Sequence, residues 1–348
     1  MCQRHPIACI VPPELLRELI LSGDAEARAS ALDGLMLDST LRHQRAEATA
    51  RTAPTLAPAS IVSGGGTPHR TIYDMKHSTT KIGPVLRAEG QKPVKDVAAN
   101  QAYDGFGATY DLWWKAYQRD SIDGQGMAIN GLVHYGTKYD NAFWDGQGHM
   151  MFGDGDGSLF VGFTGSLDVI GHELAHGVTQ YTANLTYSGQ SGALNESISD
   201  VFGSLVKQHA LGQDVTKANW LIGEDIVGPK LKVALRSMKA PGTANAYDKQ
   251  PADMSKYVTT SDDNGGVHTN SGIPNHAFYL AATAIGGKAW EKAGVIWYAA
   301  MRDKQVTPNS SFRRFANATI RQAGQIYGTT SAEAQAVKGA WQQVKVNP

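Results

Sequence analysis

The chain has 348 residues, 42% of them hydrophobic, and its 32 basic side chains balance 32 acidic ones. Balanced charge gives no indication of a nucleic-acid or membrane partner, and no sequence segment is apolar enough to span a bilayer. The length can bury a large core and suggests two domains with a small appendage. Because the two cysteines, Cys2 and Cys9, both lie near the start, disulfides cannot hold the bulk of the fold.

Residues 1–50 are predicted to form a small helical piece. Pro13 suits the first turn of one helix, and Asp24 can cap a second helix that runs to about Ala48. The apolar run at 7–11 is too short, and too closely followed by prolines and charges, for a secretory signal peptide. We therefore expect a cytoplasmic location or release by an unconventional route.

Residues 51–68 have the composition of a flexible, protease-accessible linker. Ala, Thr, Pro, Ser and three consecutive glycines dominate this segment. A helical piece followed by such a linker has two interpretations. It is either an arm that stays packed on the main domain or a removable propeptide.

Residues 69–166 are predicted to form a β-rich domain. Gly, Asn and Asp turns separate short apolar runs at 71–73, 85–86, 127–129 and 132–135. Aromatic residues at helical spacing predict one embedded helix at Ala108–Arg119. The loop Gly153–Gly157 is interpreted as a turn, and calcium ligation by its aspartates is the less favoured alternative.

Residues 167–348 have the pattern of a helical domain. Helices are predicted at 168–181, 192–210, 272–286, 288–302 and 310–325. Strands followed by helices indicate the α+β class, and the first of these helices would lie at the junction of the two domains.

The helix at the junction carries the short zinc-hydrolase motif His172-Glu-Leu-Ala-His176. Residues four apart lie on one face of a helix, so His172 and His176 can direct two imidazole nitrogens at one metal ion. Glu173 lies about 100° round the helix and can reach a metal-bound water. The alternative, for the motif alone, is a pair of histidines hydrogen-bonded in a core.

A catalytic zinc ion needs a third protein ligand and an open position. Glu196, in the next predicted helix, can complete the zinc shell and shares a face with Asp200. Asp200 can then accept the second ring N–H of a zinc-bound histidine. Paired helical carboxylates often mark a solvated face, but the flanking sequence here is too apolar for that interpretation.

Together these motifs resemble those of the thermolysin family of metallopeptidases. The resemblance covers roughly residues 70–348 and rests on His172–Ala183, Gly192–Gly203, Asn141–Trp144, Leu235–Met238 and Asp263–Gly272. It implies a thermolysin-like two-domain fold with the zinc site in the cleft. It also implies a neutral zinc endopeptidase with protein and peptide substrates, which we expect to be a monomer.

The start of the chain is similar to the short propeptide of the protealysin subgroup of that family. The similar residues are Ile10-Val-Pro-Pro13 and Leu15-Leu16. We therefore expect residues 1–50 to be an inhibitory propeptide, with Ile10–Leu16 near the catalytic cleft. Direct zinc blockage by Cys9 or Cys2 is an alternative to simple packing of these cysteines.

The resemblance also implies a role for each site residue. Glu173 would take a proton from the zinc-bound water and pass it to the leaving amine. Tyr187 and His268 would stabilise the oxyanion, and Asp263 would orient His268. The substrate strand would be held by Asn141, Ala142, Trp144 and Arg236.

The family's pocket for the residue after the cleaved bond maps onto apolar positions. These are Phe160, Phe163, Val169, Ile226 and Leu235. Cleavage before Leu, Ile, Val or Phe is therefore expected, although the same residues would also serve as ordinary core. Two other functions are a catalytically silent binding protein and an aminopeptidase; the intact ligand set argues against the first, and the His176-to-Glu196 spacing against the second.

Calcium is the point at which the chain departs from the family. Of the carboxylates that bind a calcium pair in thermolysin itself, Asp168 and Glu224 remain, and Lys207 occupies another matching position. Asp168 lies one turn before His172 and Lys207 lies two turns after Asp200, so an antiparallel helix pair brings Lys207 beside Asp168. We expect their charged atoms within about 4 Å, no calcium at Asp168, and weak calcium dependence of stability unless another site exists. The alternative is a Lys207 side chain that points into solvent.

Overall fold

The computed structural model describes residues 8–51 and 65–347, with the backbone alone for Ala8 and for 40–51. Most of the linker expected at 51–68, and Cys2, lie outside the described residues. We refer to residues 8–51 as the N-terminal piece. Its elements are strand β1 (Ala8–Cys9), helix α1 (Pro13–Ser22) and helix α2 (Ala25–Arg51).

The N-terminal piece has the predicted helical structure. Pro13 opens α1, and the Asp24 carboxylate accepts a hydrogen bond from the Ala27 backbone N–H at 2.9 Å, as expected of an N-cap. Leu15, Leu16 and Leu19 bury the inner face of α1, which packs against α2. Apolar burial therefore helps to hold this piece together.

A six-stranded mixed sheet forms the centre of the first half of the chain. Its remaining strands are β2 (Arg70–Asp74), β3 (Val85–Ala88), β4 (Ile129–Val133), β5 (Ala142–Trp144) and β6 (His149–Phe152). The strand order is β1-β5-β6-β4-β2-β3, so the N-terminal piece supplies an edge strand. The β2–β4 and β4–β6 pairs are parallel, and β1 pairs antiparallel with β5.

Helices dominate the second half. They are α4 (Leu167–Gln180), α5 (Gly189–Ala210), α6 (Asp263–Asn270), α7 (Gly272–Ile285), α8 (Ala293–Met301), α9 (Phe312–Tyr327) and α10 (Ala332–Gln343), whereas α3 (Val97–Tyr117) belongs to the first half and covers its sheet. A small two-stranded sheet pairs β7 (Leu221–Ile222) with β8 (Arg236–Ser237). Along the described ranges, no helix has both the length and the apolar character needed to cross a membrane.

The α+β prediction is confirmed, but two predicted boundaries are wrong in the first half. Helix α3 begins at Val97 rather than at residue 108. The predicted start is too late because Gly105 and Gly107 weaken the helical pattern in the sequence. Both glycines serve packing: a Cβ at Gly105 would lie 2.3 Å from an Ile170 carbon, and one at Gly107 would lie 2.4 Å from the Arg70 guanidinium. Close packing thus outweighs their low helix propensity.

The predicted strands at 127–129 and 132–135 are a single strand, β4. Asn130-Gly131 has the composition of a turn, but a Cβ at Gly131 would lie 2.8 Å from Ile72 and 2.9 Å from Phe106. The glycine therefore lets α3 approach the sheet. In the second half, the helix predicted at 288–302 begins only at Ala293, and α10 was not predicted.

The backbones of helices α4 and α5 approach each other closely, with almost no side-chain atoms between them at the point of contact. A Cβ at Gly203 of α5 would lie 2.3 Å from the Asp168 carbonyl oxygen of α4. A Cβ at Gly171 would lie 3.0 Å from the Gly203 Cα. This approach places Glu196 and Asp200 of α5 opposite the histidines of α4.

We predict that Gly203→Ala destabilises the protein by about 1–3 kcal/mol, because the added methyl would force α4 and α5 apart. Gly339→Ala is the matched control: this helical glycine has no atom within 4 Å of the added Cβ and should stabilise by about 0.4–1 kcal/mol. Denaturant midpoints measure both effects. Equal stability changes in the two variants would show that the close contact of α4 and α5 is not required.

Candidate metal site and peptide-binding cleft

Three buried side chains converge where α4 faces α5. The Nε2 atoms of His172 and His176 are 3.0 Å apart, and each lies 3.5 Å from a Glu196 oxygen. The exposure of these residues is at most 5%. The structure thus brings together the three predicted zinc ligands in one cluster.

Acceptors behind the histidines determine which ring nitrogens face the cluster. The Nδ1 atom of His172 donates to the Asp200 carboxylate at 2.8 Å, and that of His176 donates to the Asn195 side-chain oxygen at 2.8 Å. Both Nε2 atoms therefore present lone pairs to each other. The Asp200 contact agrees with the sequence prediction, whereas Asn195 was missed although it directly precedes Glu196.

This donor set fits a divalent cation. Two imidazole lone pairs at 3.0 Å have no proton between them, and Glu196 Oε2 is buried without a hydrogen-bond partner among the described residues. Burial lowers the pKa of His176 to about 4, which keeps that ring neutral and able to coordinate. Two histidines and one carboxylate are a ligand set typical of catalytic zinc.

Glu173 lies beside the cluster and is fully buried. Its Oε2 atom accepts a hydrogen bond from the Trp144 backbone N–H at 3.1 Å, and its Oε1 atom has no hydrogen-bond partner in the described ranges. Burial, followed by the charge of Glu196, raises the pKa of Glu173, and the backbone N–H groups of Trp144 and Ile10 oppose the rise. A carboxyl with a raised pKa is suited to taking and returning a proton.

Tyr187 and His268 also lie close to Glu196. The Tyr187 hydroxyl donates to Glu196 and lies 3.3 Å from His268 Nε2. Asp263 accepts from both the Nδ1 and the backbone N–H of His268 at 2.7 Å, the orienting contact that was predicted. Burial opposes protonation of His268, but the carboxylates of Asp263 and Glu196 raise its pKa to about 9. His268 is therefore a positively charged donor at neutral pH.

Arg236 connects the metal cluster to the cleft. Its guanidinium donates two hydrogen bonds to Asp200, at 2.8 and 3.0 Å, and a third to the Ile10 carbonyl at 2.9 Å. Asn275, which the sequence analysis missed, also donates to Asp200, at 2.8 Å. Although burial would raise it, Arg236 and His172 hold the pKa of Asp200 well below its usual range.

The N-terminal piece occupies the cleft beside the candidate metal site. Strand β1 pairs with β5, and the Asn141 side chain accepts from the Val11 backbone N–H at 3.0 Å. Ala142 accepts from the Ile10 backbone N–H at 3.3 Å. The predicted position of Ile10–Leu16 near the cleft is thus confirmed at its first residues.

The five predicted pocket residues are all buried in one continuous apolar cluster that also contains Ile10. The rings of Phe160 and Phe163 lie 5.5 Å apart between their centroids. Cys9 faces the other way, into a separate cluster with Tyr135, Tyr139 and Phe143. The alternative of a direct Cys9 metal contact is therefore wrong in this structure, because the Cys9 carbonyl rather than its thiol faces the site.

Lys207 pairs with Asp168, as predicted, at 3.2 Å. Its ammonium also contacts Glu224 at 2.6 Å and Asp225 at 2.9 Å, and the sequence analysis missed Asp225. Burial would lower the pKa of Lys207, but the surrounding carboxylates raise it above its usual range. The Gly153–Gly157 loop forms turns, in which Asp156 accepts from the Ser158 backbone N–H at 2.7 Å.

Comparison with known proteins identifies the family. Residues 66–180 match the thermolysin metallopeptidase catalytic domain, and residues 183–346 match its alpha-helical domain. The extracellular metalloprotease of Pectobacterium carotovorum subsp. carotovorum is 46% identical over 98% of this chain and 97% of the relative. Thermolysin of Alicyclobacillus acidocaldarius is 43% identical over 79% of this chain, which spans only 50% of that relative.

A solved structure extends the similarity to the N-terminal piece. The precursor of protealysin, a metalloproteinase from Serratia proteamaculans, superposes with a TM-score of 0.86 at 48% identity. The match covers 97% of this chain and 99% of the precursor chain. The chain therefore belongs to the thermolysin family of metallopeptidases and is a zinc metalloendopeptidase of the protealysin-like kind.

The N-terminal piece also places a carboxyl group against the site. Glu14 of α1 forms a cluster with Asp263 and His268 whose polar atoms lie within 4.8 Å of one another. Burial, followed by the charge of Asp263, raises the pKa of Glu14 to about 7. Arg17, on the same helix, lies 3.8 Å from Glu14 but is closer to Asp262, at 3.3 Å.

We predict that the N-terminal piece binds more weakly as pH rises from about 4.5 to about 7. Glu14 regains its ordinary pKa of 4.5 when detached, so the docked form holds the extra proton in this window and docking levels off above it. Gel filtration of the Glu173→Gln chain, nicked in the linker, measures retention of the piece. Glu14→Gln should remove most of this dependence, and an unchanged pH profile would contradict the role of Glu14.

Proposed function

We propose that this metalloendopeptidase cuts internal peptide bonds before bulky hydrophobic residues, with His172, His176 and Glu196 as the zinc ligands. The observation that carries the proposal is the convergence of two imidazole lone pairs and an unpartnered buried carboxylate oxygen beside Glu173. Zinc held there would lower the pKa of a bound water and polarise the attacked carbonyl. The remaining steps belong to residues of the chain.

Glu173 acts as the general base and then as the general acid. Its raised pKa suits a group that takes a proton from water and returns it to the leaving amine. His268 and Tyr187 donate to the oxyanion, and Asp263 keeps the His268 ring oriented and charged. Asp200 and Asn195 keep the Nε2 lone pairs of the two histidines directed at the metal.

The substrate strand is positioned by a separate set of groups. Ala142 and Trp144, on strand β5, pair with an extended backbone in the position that β1 occupies. Asn141 binds one residue further along, and Arg236 binds the carbonyl beyond the cleaved bond. The apolar pocket receives the side chain after that bond. Its lining residues, Phe160, Phe163, Val169, Ile226 and Leu235, favour Leu, Ile, Val or Phe there.

We predict that Glu173→Gln, in a chain that lacks residues 1–60, abolishes peptide hydrolysis while zinc content is retained. The amide cannot accept the water's proton, whereas the ligand set is unchanged. Glu291→Gln, at a side chain that is 59% exposed, is the matched control and should keep full activity. The preference is measured with peptides that differ only after the scissile bond: Leu should be cut faster than Asp by roughly 100-fold.

Three outcomes would contradict the proposal. Retained hydrolysis by Glu173→Gln would remove its proton-transfer role. Faster cutting before Asp would exclude the pocket assignment. Resistance of the parent enzyme to a zinc chelator would contradict the metal assignment.

The N-terminal piece is proposed to be an inhibitory propeptide, as the similarity to a protealysin precursor supports. Residues of the cleft that would hold substrate instead hold Cys9, Ile10 and Val11. The full-length chain should therefore hydrolyse peptides more slowly than the chain that lacks residues 1–60. The name of the Pectobacterium relative favours release from the cell over a cytoplasmic location, and we propose a monomer.

We predict that the thermal stability of the protein depends weakly on calcium, because the Lys207 ammonium neutralises the carboxylates around Asp168. Lys207→Gln should lower the melting temperature, since it leaves Asp168 buried without its cation. Added calcium should then raise the melting temperature of Lys207→Gln more than that of the parent chain. An equally large calcium effect on the parent would show a metal site that the ion-pair assignment does not explain.

A further inference from the structure

The segment Ala8–Val11 lies in the cleft, and its first two residues form strand β1 with a defined register. Ala8 is opposite Trp144 and Cys9 is opposite Phe143, in antiparallel pairing. The Ile10 backbone N–H continues the pairing by donating to the Ala142 carbonyl at 3.3 Å. The hydrogen bonds of this segment to β5 join backbone groups, so any extended peptide could make the same hydrogen bonds.

Charged and polar side chains form hydrogen bonds with three successive residues of this segment. His268 Nε2 donates to the Cys9 carbonyl at 2.9 Å. Arg236 donates to the Ile10 carbonyl at 2.9 Å, and Asn141 accepts from the Val11 N–H at 3.0 Å. In the roles proposed above, His268 donates to the carbonyl that is attacked, here that of Cys9, and Arg236 donates to the next carbonyl, here that of Ile10. The bond between Cys9 and Ile10 therefore lies at the reaction position.

The groups around Ile10, on the amine side of this bond, agree with this register. The Ile10 N–H lies beside the Glu173 carboxyl, the group that would return a proton to a leaving amine. The Ile10 side chain is fully buried and belongs to the same apolar cluster as the five pocket residues. Isoleucine is among the side chains that the pocket should prefer after a cleaved bond.

From this register, and resting on the proposed function, we propose that the Cys9–Ile10 peptide bond is a self-cleavage site of the precursor. The oxygen of a water molecule bonds to the Cys9 carbonyl carbon, and the carbon–nitrogen bond to Ile10 breaks. Glu173 carries one water proton to the Ile10 nitrogen, and the proton lost by the new carboxyl group is taken up by the resulting amine. The products are a Cys9 carboxylate and an Ile10 ammonium, without any redox change.

Cleavage at this bond would weaken the inhibitor without removing it. The His268 and β5 contacts of residues 8–9 would be lost with the released peptide. Other contacts would remain: Ser30 donates to Asp140 at 2.7 Å, and Asn141 donates to the buried Asp38 at 3.0 Å. The cut is therefore a step that precedes release of the N-terminal piece rather than the release itself.

The test uses the full-length chain, stripped of metal with a chelator and then supplied with zinc. Intact-mass measurement and N-terminal sequencing should show a released peptide of residues 1–9 and a new chain that begins at Ile10. The rate should not change on dilution, because the strand and the site belong to one chain. Glu173→Gln should remain uncut, and Ile10→Asp should slow this cut by roughly 10-fold or more relative to Ile10→Leu.

The same samples are assayed with an added leucine-containing peptide, which separates two kinds of failure. If the sample comes to hydrolyse that peptide while residues 1–9 stay attached to Ile10, the self-cleavage inference is wrong and the proposed function stands. If the sample cuts neither substrate, even after proteolysis of the linker, the proposed function fails as well. A cut at this bond that is as fast in Ile10→Asp as in Ile10→Leu would also overturn the register.

Discussion

The charge of Asp200 is the constraint on which the site depends. A carboxylate with no solvent exposure must be paired, and Asp200 is paired with groups from three other elements. His172 on α4, Arg236 on β8 and Asn275 on α7 all donate to it. The same contacts that neutralise the buried charge of Asp200 therefore also orient His172, a candidate metal ligand, and Arg236, which donates to the Ile10 carbonyl. Removing Asp200 would leave Arg236 buried without its counter-charge and would disturb the metal site and the cleft together.

The helical period explains why so much of this site could be predicted from the sequence. His172 and His176, or Glu196 and Asp200, are fixed on one face by spacing alone, and the position of Lys207 beside Asp168 followed from two such spacings. Contacts between distant elements carry no such signal. Asn275 reaches Asp200 across 75 residues, and no local pattern marks it. The fold shows the same division. The sequence pattern around Gly105 and Gly131 gave wrong element boundaries because the residues against which these glycines pack lie elsewhere in the chain.

Backbone contacts explain how one cleft can serve a substrate and an inhibitor. Hydrogen bonds to main-chain groups do not depend on sequence, so under the proposed function the pocket after the cleaved bond is what would distinguish peptides. Ile10 is fully buried and is a side chain of the kind that the proposed pocket would take, so the inhibitory segment has the chemistry of a substrate. The orientation of the segment does not protect it from hydrolysis either, because the Cys9 carbonyl accepts from His268 and the next carbonyl, that of Ile10, accepts from Arg236. What distinguishes the segment from a substrate is its attachment to the rest of the N-terminal piece.

That attachment has strong and weak parts. The exposed pairs of Lys230 with Asp24 and Glu26 contribute little, since surface ion pairs typically give less than about 1 kcal/mol. Asp38 is 2% exposed and binds both Tyr139 and Asn141, so α2 is bound to the same Asn141 side chain that accepts from Val11. If the Cys9–Ile10 bond is cut, such contacts keep the segment from Ile10 onward in the cleft. Loss of the contacts that α2 makes through Asp38, more than hydrolysis of one peptide bond, should therefore decide when the enzyme becomes free to accept other peptides.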